Sequence, residues 1–188
     1  MLFKDLVYNN RSYRRYDESY KITKEQLLAW VDLARHTPSA RNAQPLKFFV
    51  SAEAETNQLI FDHISWAGYL ENGRPVQGER PSAYIVLCND GDISQQSLHD
   101  QGIMAQTILL AAVSENLGGC MFTSVKREEL RKGLNLPQNL EPQLVIAIGK
   151  PVEHIVITEV KDSSIRYYRD ADNTHFVPKR ALADLVIN

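Results

Sequence analysis

The sequence predicts an α+β fold, because its helical and strand-like segments do not alternate in the regular βαβ order of a doubly wound sheet. Residues 83–88 and 143–149 are apolar on both faces, as is typical of central strands. Residues 97–116 contain the longest helical pattern, with apolar side chains around most of its circumference. A helix of this kind is buried nearly all round, and we expect a second subunit to cover part of it.

Local signals predict the elements before the first central strand. Thr23 and Gln26 form a capping box, in which each side chain satisfies a free backbone donor at the start of a helix. That helix is expected to end before Pro38. Apolar spacing predicts a short first helix, a strand and a third helix over residues 3–9, 46–50 and 53–64.

The segment 66–82 is predicted to be a loop, since glycines and prolines recur along it. A loop of this length within one domain is more often a lid than a plain connection. Further along, Gly118 and Gly119 are expected to end the long helix, and Ser124 to cap another helix that reaches residue 134. Two strand-like pieces, 155–160 and 165–168, come before a predicted turn at residues 170–173.

Composition indicates one globular domain over residues 1–188, closed by an extended C-terminal tail. The 188 residues are 44% hydrophobic and 23% charged, which is the balance of an ordinary folded domain. The net charge of -2 argues against nucleic acid or an anionic membrane as partner. Cys88 and Cys120 have no metal-type or redox-type spacing, so we expect reduced thiols in a cytoplasmic protein.

The common catalytic motifs are missing from the sequence. It contains neither Gly-x-Gly-x-x-Gly nor a Walker-type Gly-Lys-Ser/Thr, and it lacks the Gly-x-Ser-x-Gly elbow. The five histidines are scattered without metal-ligand spacing, so no metal and no catalytic side chain is predicted. This favours chemistry carried by a cofactor, for which the protein supplies position and electrostatics.

Two short segments indicate what that cofactor is. In the first, Ser12 lies between Arg11 and Arg14, and a hydroxyl between two guanidinium groups suits a phosphate. The second, residues 38–45, is a small-residue polar loop on which a flat, hydrogen-bonding ligand could lie. Together they predict flavin mononucleotide (FMN); the alternative is that the arginines form only a solvated surface.

These segments resemble the FMN-dependent nitroreductases, and the resemblance covers nearly the whole chain. No single motif decides it; the order of several motifs does. They are Arg-Ser-x-Arg at 11–14, Pro-Ser-Ala-x-Asn-x-Gln-Pro at 38–45, Gly-Ile-Met-Ala-Gln at 102–106, Leu-Gly-Gly-Cys-Met at 117–121, Leu-Pro at 136–137, the strand 145–149, and Pro-Lys-Arg at 178–180.

The resemblance implies a nitroreductase-like fold, with a central, mostly antiparallel sheet flanked by helices. It also implies an intertwined homodimer that binds two FMN molecules at the subunit interface. In such a dimer the C-terminal tail of one subunit extends the sheet of the other. This agrees with the apolar long helix and the extended tail expected from the residues.

By matching position, the resemblance also implies the cofactor-binding residues. Those for the ribityl phosphate are Arg11, Ser12, Arg14, Lys179 and Arg180; for the last two, the alternative is a basic turn in solvent. Those of the loop that reaches the flavin from the other subunit are Pro38, Ser39, Ala40 and Asn42. Those beside the isoalloxazine ring are Phe122, Thr123 and Ser124, with Gln101 near the same region.

The chain departs from the family pattern at three places. Asn10 stands where many members have a basic residue, so phosphate binding depends more on Arg11 and Arg14. Leu46 stands where many have an aromatic residue. The segment 166–170 has no counterpart in many members and resembles a small hairpin found in a subset.

The function implied is that of an oxidoreductase. NADH or NADPH passes a hydride to the flavin and leaves, and a nitroaromatic, quinone or similar acceptor then takes its place. Because NAD(P)H and the acceptor use one site in turn, a separate dinucleotide-binding motif is not needed. Two alternatives stay open: a flavin-binding storage or sensing module with little turnover, and a relative with special chemistry such as dehalogenation or flavin breakdown.

Overall fold

The computed structural model describes residues 1–70, 72–97 and 99–187, so that Glu71, Leu98 and Asn188 lie outside the description. The helices of the described residues are α1 (Phe3–Asn9), α2 (Lys24–Ala34), α3 (Ala54–Asp62), α4 (Asp100–Ser114) and α5 (Arg127–Gly133). The strands are β1 (Tyr16–Asp17), β2 (Leu46–Ser51), β3 (Ala83–Asp90), β4 (Gly118–Phe122), β5 (Leu140–Pro151), β6 (Ile155–Glu159), β7 (Tyr168–Arg169) and β8 (His175–Lys179). Two 3₁₀ turns span Ala40–Asn42 and Leu182–Asp184.

A central sheet is organised around β5. This strand pairs with β3, β4 and β1, while β2 pairs with the far edge of β3. All four pairings are antiparallel. The prediction of a central antiparallel sheet flanked by helices is therefore confirmed, and the two strands expected at its centre are neighbours in it.

Side chains of the central strands alternate between two apolar layers. Ile85 and Ile146 point to the layer that α2 and α4 cover, where Trp30 is also buried. Val86 and Val145 point to the other layer, which α3 and α5 cover. Because both faces are covered, all eight residues of β3 are buried, as its uninterrupted apolar pattern predicted.

The prediction that Gly118 and Gly119 end the long helix is wrong. The helix ends through Asn116, whose φ of 60° is left-handed. The N–H of Asn116 donates to Val113 O at 3.0 Å and that of Leu117 to Ala112 O at 2.9 Å, which is a Schellman motif. Asparagine tolerates this conformation, and the two glycines instead open β4.

The prediction that Ser124 caps the next helix is also wrong. Helix α5 begins at Arg127, with Lys126 before it. The chain stays extended through this region because Val125 pairs with Ile64 in an isolated antiparallel bridge. The carbonyl of Ser124 is used there too, since it accepts the N–H of Ser65 at 3.0 Å.

The C-terminal part of the chain forms a second, three-stranded sheet. Strands β6 and β8 are parallel, and β7 is antiparallel to β8. Strand β8 was not predicted, and the predicted strand over 165–168 amounts to Tyr168 and Arg169 alone. The N–H of His175 donates to His154 O at 2.9 Å, so β8 returns to the segment that follows β5.

Residues 1–70, 72–97 and 99–187 contain neither a membrane-crossing helix nor a metal-type cluster of side chains. None of their helices has the length and apolar character that a membrane crossing requires. Nor do they contain a group of three or more His, Cys, Asp or Glu side chains placed to hold a metal ion.

Two glycine substitutions test the packing of β4. A Cβ at Gly119 would overlap the carbonyl oxygen of Ala147 and lie 2.7 Å from Leu109 Cδ2. We expect Gly119→Ala to lower the free energy of unfolding in urea by about 1–3 kcal/mol. The control is Gly102→Ala, where a Cβ in α4 meets nothing within 4 Å; its helix propensity should raise that free energy by about 0.5–1 kcal/mol. Equal effects of the two substitutions would contradict the packing described.

Candidate functional site

Four of the predicted phosphate-binding residues lie around one cavity of about 210 Å³. These four are Arg11, Ser12, Arg14 and Lys179. The cavity is completed by Asn10, Tyr167, His175 and Val177. Residues from the N-terminal segment and from β8 thus meet, although more than 150 positions separate them along the chain.

The segment that carries the two arginines is fixed to the edge of the central sheet. Ser12 forms a parallel bridge with Gly119 of β4, and the N–H of Tyr13 donates to Gly119 O at 3.1 Å. Two residues after Arg14, Tyr16 pairs with Pro151 of β5. The backbone on both sides of Arg14 is therefore held by the sheet, which gives the arginine side chains a rigid base.

Three residues that line this cavity each have a buried nitrogen atom with no hydrogen-bond partner among the described residues: Arg11 Nε, Arg14 Nε and His175 Nε2. The arginines are otherwise oriented, since Arg11 Nη2 donates to Val7 O at 2.7 Å and Arg14 Nη1 to Ser12 O at 3.3 Å. Buried polar groups are normally paired, so several unpaired nitrogens at one cavity indicate a ligand with acceptor oxygens.

A buried carboxylate lies behind the cavity. Glu153, whose side chain is 1% exposed, accepts the N–H of Arg14 at 2.8 Å. Its Oε1 also binds the guanidinium of Arg169 and lies 3.0 Å from His175 Nδ1. Burial alone would raise the pKa of Glu153, but the hydrogen bonds from His175, Arg169 and the Arg14 N–H outweigh it and hold that pKa at about 2.

Tyr167 forms one wall of the cavity and explains the segment 166–170. The guanidinium carbon of Arg14 lies 5.0 Å from the centre of its ring, a cation–π distance. The ring also packs edge-on against His175, with ring centres 5.5 Å apart, and at a tilt against Tyr69, with ring centres 5.0 Å apart. Sequence analysis assigned no role to this segment, because nothing local in it indicates contact with Arg14.

The loop 66–82, Glu71 excepted, is anchored at several points, unlike a free lid. Trp66 packs into the core against Phe122, with ring centres 4.6 Å apart. Tyr69 packs on Tyr167, as described above, and the N–H of Tyr16 donates to Glu79 O at 3.0 Å. The loop therefore supports the wall of the cavity.

A second group of predicted residues is organised by Asp100, which sequence analysis missed. This carboxylate, at the first position of α4, is 2% exposed. It accepts Ser39 Oγ–H at 2.5 Å and the Ala40 N–H at 3.0 Å, while Ser39 Oγ accepts the Gln44 N–H at 2.9 Å. An acid at a helix start is a weak signal, since the helix dipole alone explains it.

The loop held by Asp100 has a strained backbone. Arg41, Asn42 and Gln44 adopt left-handed φ values of 55°, 53° and 52°. Such conformations are uncommon outside glycine and persist where the surroundings enforce them, often at functional sites. Ala40 and Asp100 line a cavity of about 340 Å³ that shares no residue with the cavity between the arginines and β8. The structure thus keeps the loop apart from the phosphate residues within one chain.

The other predicted residues lie in varied surroundings. The side chain of Phe122 is 5% exposed and belongs to the core, whereas Thr123 and Ser124 are exposed at the end of β4. Gln101 Oε1 is buried with no partner among the described residues.

Arg180 is exposed and, unlike Lys179, does not line the cavity. The remaining loop positions, Pro38 and Asn42, are exposed. Asn10, where many members have a basic residue, donates to Gln106 Oε1 at 3.1 Å.

Comparison with solved structures gives the class of fold first. A protein from Exiguobacterium sibiricum 255-15, solved in complex with FMN, aligns with a TM-score of 0.69 and 19% identity, over 81% of this chain and 90% of that one. An FMN-dependent nitroreductase from Clostridium difficile R20291 aligns with a TM-score of 0.66 and 21% identity, over 84% and 91%. The chain therefore has the nitroreductase fold.

Sequence comparison then gives the family. The model of the Nitroreductase family matches residues 7–150, so the chain belongs to that family. A protein of Archaeoglobus fulgidus, named "Putative NADH dehydrogenase/NAD(P)H nitroreductase", is 28% identical over 165 residues, covering 84% of this chain and 90% of its own. The resemblance found in the motifs is confirmed.

Acid titration tests the buried carboxylate. Since the pKa of Glu153 is about 2 in the fold against an ordinary 4.5, its ionised form stabilises the protein above pH 4.5, and that contribution is lost as the pH falls toward 2. We expect Glu153→Gln to lower the free energy of unfolding by about 3 kcal/mol at pH 6, and the deficit to shrink between pH 5 and pH 2.

The matched control is Glu159→Gln, which makes the same change at an exposed position of β6. Urea unfolding at several pH values should show little effect of it at any pH. A deficit of Glu153→Gln that stays constant down to pH 2 would contradict the buried ionic cluster.

Proposed function

We propose that the protein is an FMN-dependent oxidoreductase that takes hydride from NADH or NADPH and reduces nitroaromatic, quinone or similar small acceptors by a ping-pong mechanism. The observation that carries this proposal is the cavity lined by Arg11, Arg14 and His175, each of which has a buried nitrogen without a partner in the described part of the chain. The FMN in the E. sibiricum complex and the NAD(P)H in the name of the A. fulgidus relative support the choice of cofactor and donor.

The cavity has the charge and the donors that a phosphate ester requires. Arg11 and Arg14 contribute two guanidinium groups and Lys179 an ammonium, and Ser12 adds a hydroxyl. Charge-assisted hydrogen bonds from such groups are the strong ones, and planar guanidinium groups match phosphate oxygens well. Because the bonds to Val7 O and Ser12 O already orient the two arginines, little side-chain entropy is lost on binding.

Strand β4 connects the phosphate end of the proposed site with its ring end. Gly119 pairs with Ser12, and exposed Thr123 follows four residues later. A strand rises about 3.3 Å per residue, so Thr123 and Ser124 lie roughly 13–17 Å further along. These two residues, with the backbone of Phe122, would lie beside the ring. Bound FMN would supply two-electron transfer, accepting hydride from the nicotinamide and passing it to the second substrate.

We further propose that the site is completed in a homodimer. Residues Pro38, Ser39, Ala40 and Asn42 would face the flavin of the partner subunit, while Gln101 would lie near the isoalloxazine ring. Two observations support this proposal. The loop they form belongs to a different cavity from the arginines, and α4 exposes Ile103 at its N-terminal end beside Gln101. In this arrangement Asp100 holds the loop in its left-handed conformation, ready for the partner.

The test is the visible absorption spectrum of the purified protein after addition of FMN, before and after anaerobic NADH or NADPH. We expect a protein-bound flavin spectrum that bleaches promptly with one of the donors and recovers when a quinone or nitroaromatic is added. Recovery after the donor has been removed by gel filtration would establish two separate half-reactions.

Two outcomes would contradict the proposal. A bound flavin that neither donor bleaches would favour a storage or sensing module. A protein that binds no FMN would remove the proposed site altogether. Riboflavin, which has no phosphate, is the matched control ligand for the binding step.

A further inference from the structure

One titratable side chain at the cavity has no part in the phosphate contacts described so far. His175 is 1% exposed and lines the cavity, and its Nε2 is buried with no partner among the described residues. The other ring nitrogen, Nδ1, lies 3.0 Å from Glu153 Oε1. The ring is therefore held through Nδ1, while Nε2 is unpaired among the described residues in a side chain that lines the same cavity as Arg11, Arg14 and Lys179.

We propose that His175 binds the cofactor phosphate through Nε2, and that binding takes up one proton, which is held between Nε2 and a phosphate oxygen. The inference rests on the proposed function, because it requires a phosphate ester in this cavity. It goes further in two ways. His175 is a phosphate-binding residue that the sequence motifs do not contain, and its contact makes the binding of the cofactor dependent on pH.

The protonation state of the ring follows from its partner. Glu153 is ionised at neutral pH and can only accept hydrogen bonds, so the proton of the shared bond belongs to Nδ1 of His175. Nε2 then carries either a lone pair or a second proton. A lone pair facing the oxygens of a phosphate dianion is repulsive, whereas an N–H forms a charge-assisted hydrogen bond.

The proton balance of this contact is independent of where the proton resides. A phosphate ester loses its second proton with a pKa of about 6, so it is a dianion in solution at pH 8. A hydrogen bond between Nε2 and a phosphate oxygen needs one proton, on the ring or on the oxygen. That proton comes from the buffer, and no covalent bond to carbon or phosphorus changes.

The charges around His175 favour this coupling. Among the described residues, the imidazole contacts the anion Glu153 and the ring of Tyr167, Arg169 binds the same carboxylate, and the cations Arg14, Arg11 and Lys179 line the same cavity. Without a bound anion, a further positive charge on His175 would lie near several cations. A bound dianion compensates that charge, so the proton and the phosphate stabilise each other.

Isothermal titration calorimetry measures the proton directly. FMN is titrated into the full-length protein freed of flavin, at pH 8, in two buffers with different ionisation enthalpies. We expect uptake of about one proton per FMN, and none when riboflavin is the ligand. Between pH 7 and pH 9 the FMN affinity should weaken by up to about tenfold per pH unit, since one proton is bound with the ligand.

Two variants assign the proton to its residue. In His175→Gln an amide N–H replaces Nε2–H without titrating, so we expect the uptake to fall close to zero and the affinity for FMN to become independent of pH. The control His154→Gln makes the same change at an exposed neighbour whose backbone, not side chain, contacts His175. It should keep the uptake of the unchanged protein.

The outcomes separate this inference from the proposed function. If FMN binds more tightly than riboflavin but takes up no proton, or if His175→Gln keeps the uptake, the role of His175 is overturned and the phosphate site stands. If FMN and riboflavin bind equally, the phosphate lies outside the cavity and both proposals fail. The comparison of the two ligands needs no variant, so it remains decisive if His175→Gln does not fold.

Discussion

One buried carboxylate, Glu153, connects the three chain segments that form the cavity. It accepts the backbone N–H of Arg14 from the N-terminal segment, the guanidinium of Arg169 from β7, and Nδ1 of His175 from β8. Without that anion, the guanidinium of Arg169 and the ring of His175 would be buried beside the arginines with no negative charge to compensate them. An ion cluster of this kind contributes little net stability, because its desolvation is costly, but losing one partner is expensive. Its main effect here is to fix relative positions.

That fixed geometry is what makes the cavity suitable for an anion. The strands hold the backbone at Ser12 and Tyr16, while Tyr167 packs on Arg14 and limits the motion of its side chain. Donors that are already oriented lose less entropy when a ligand binds. In the proposed function, a permissive site for nicotinamide and acceptor would coexist with a tightly held cofactor, which agrees with the absence of any dinucleotide motif in the sequence.

Much of the fold was predictable, because local patterns determine it. The uninterrupted apolar runs of β3 and β5 indicated central strands, and Thr23 with Gln26 marked the start of α2. The wrong predictions concern residue types that fit more than one structure. A glycine pair is typical of a helix end, but here Gly119 lies in β4, where the missing side chain allows close contact with Ala147. The site was predictable only in part. The Arg-Ser-x-Arg motif is local, whereas Glu153 and His175 lie more than 130 residues away, and no spacing rule connects them.

In the proposed site, the cavity of Arg11, Arg14 and His175 holds the phosphate of FMN. A crystal structure of the protein with FMN bound would show where the phosphate lies. We expect phosphate oxygens within hydrogen-bond distance of the two arginine side chains and of His175 Nε2, with the Glu153 cluster unchanged. A phosphate bound elsewhere, for example in the cavity lined by Ala40 and Asp100, would contradict it.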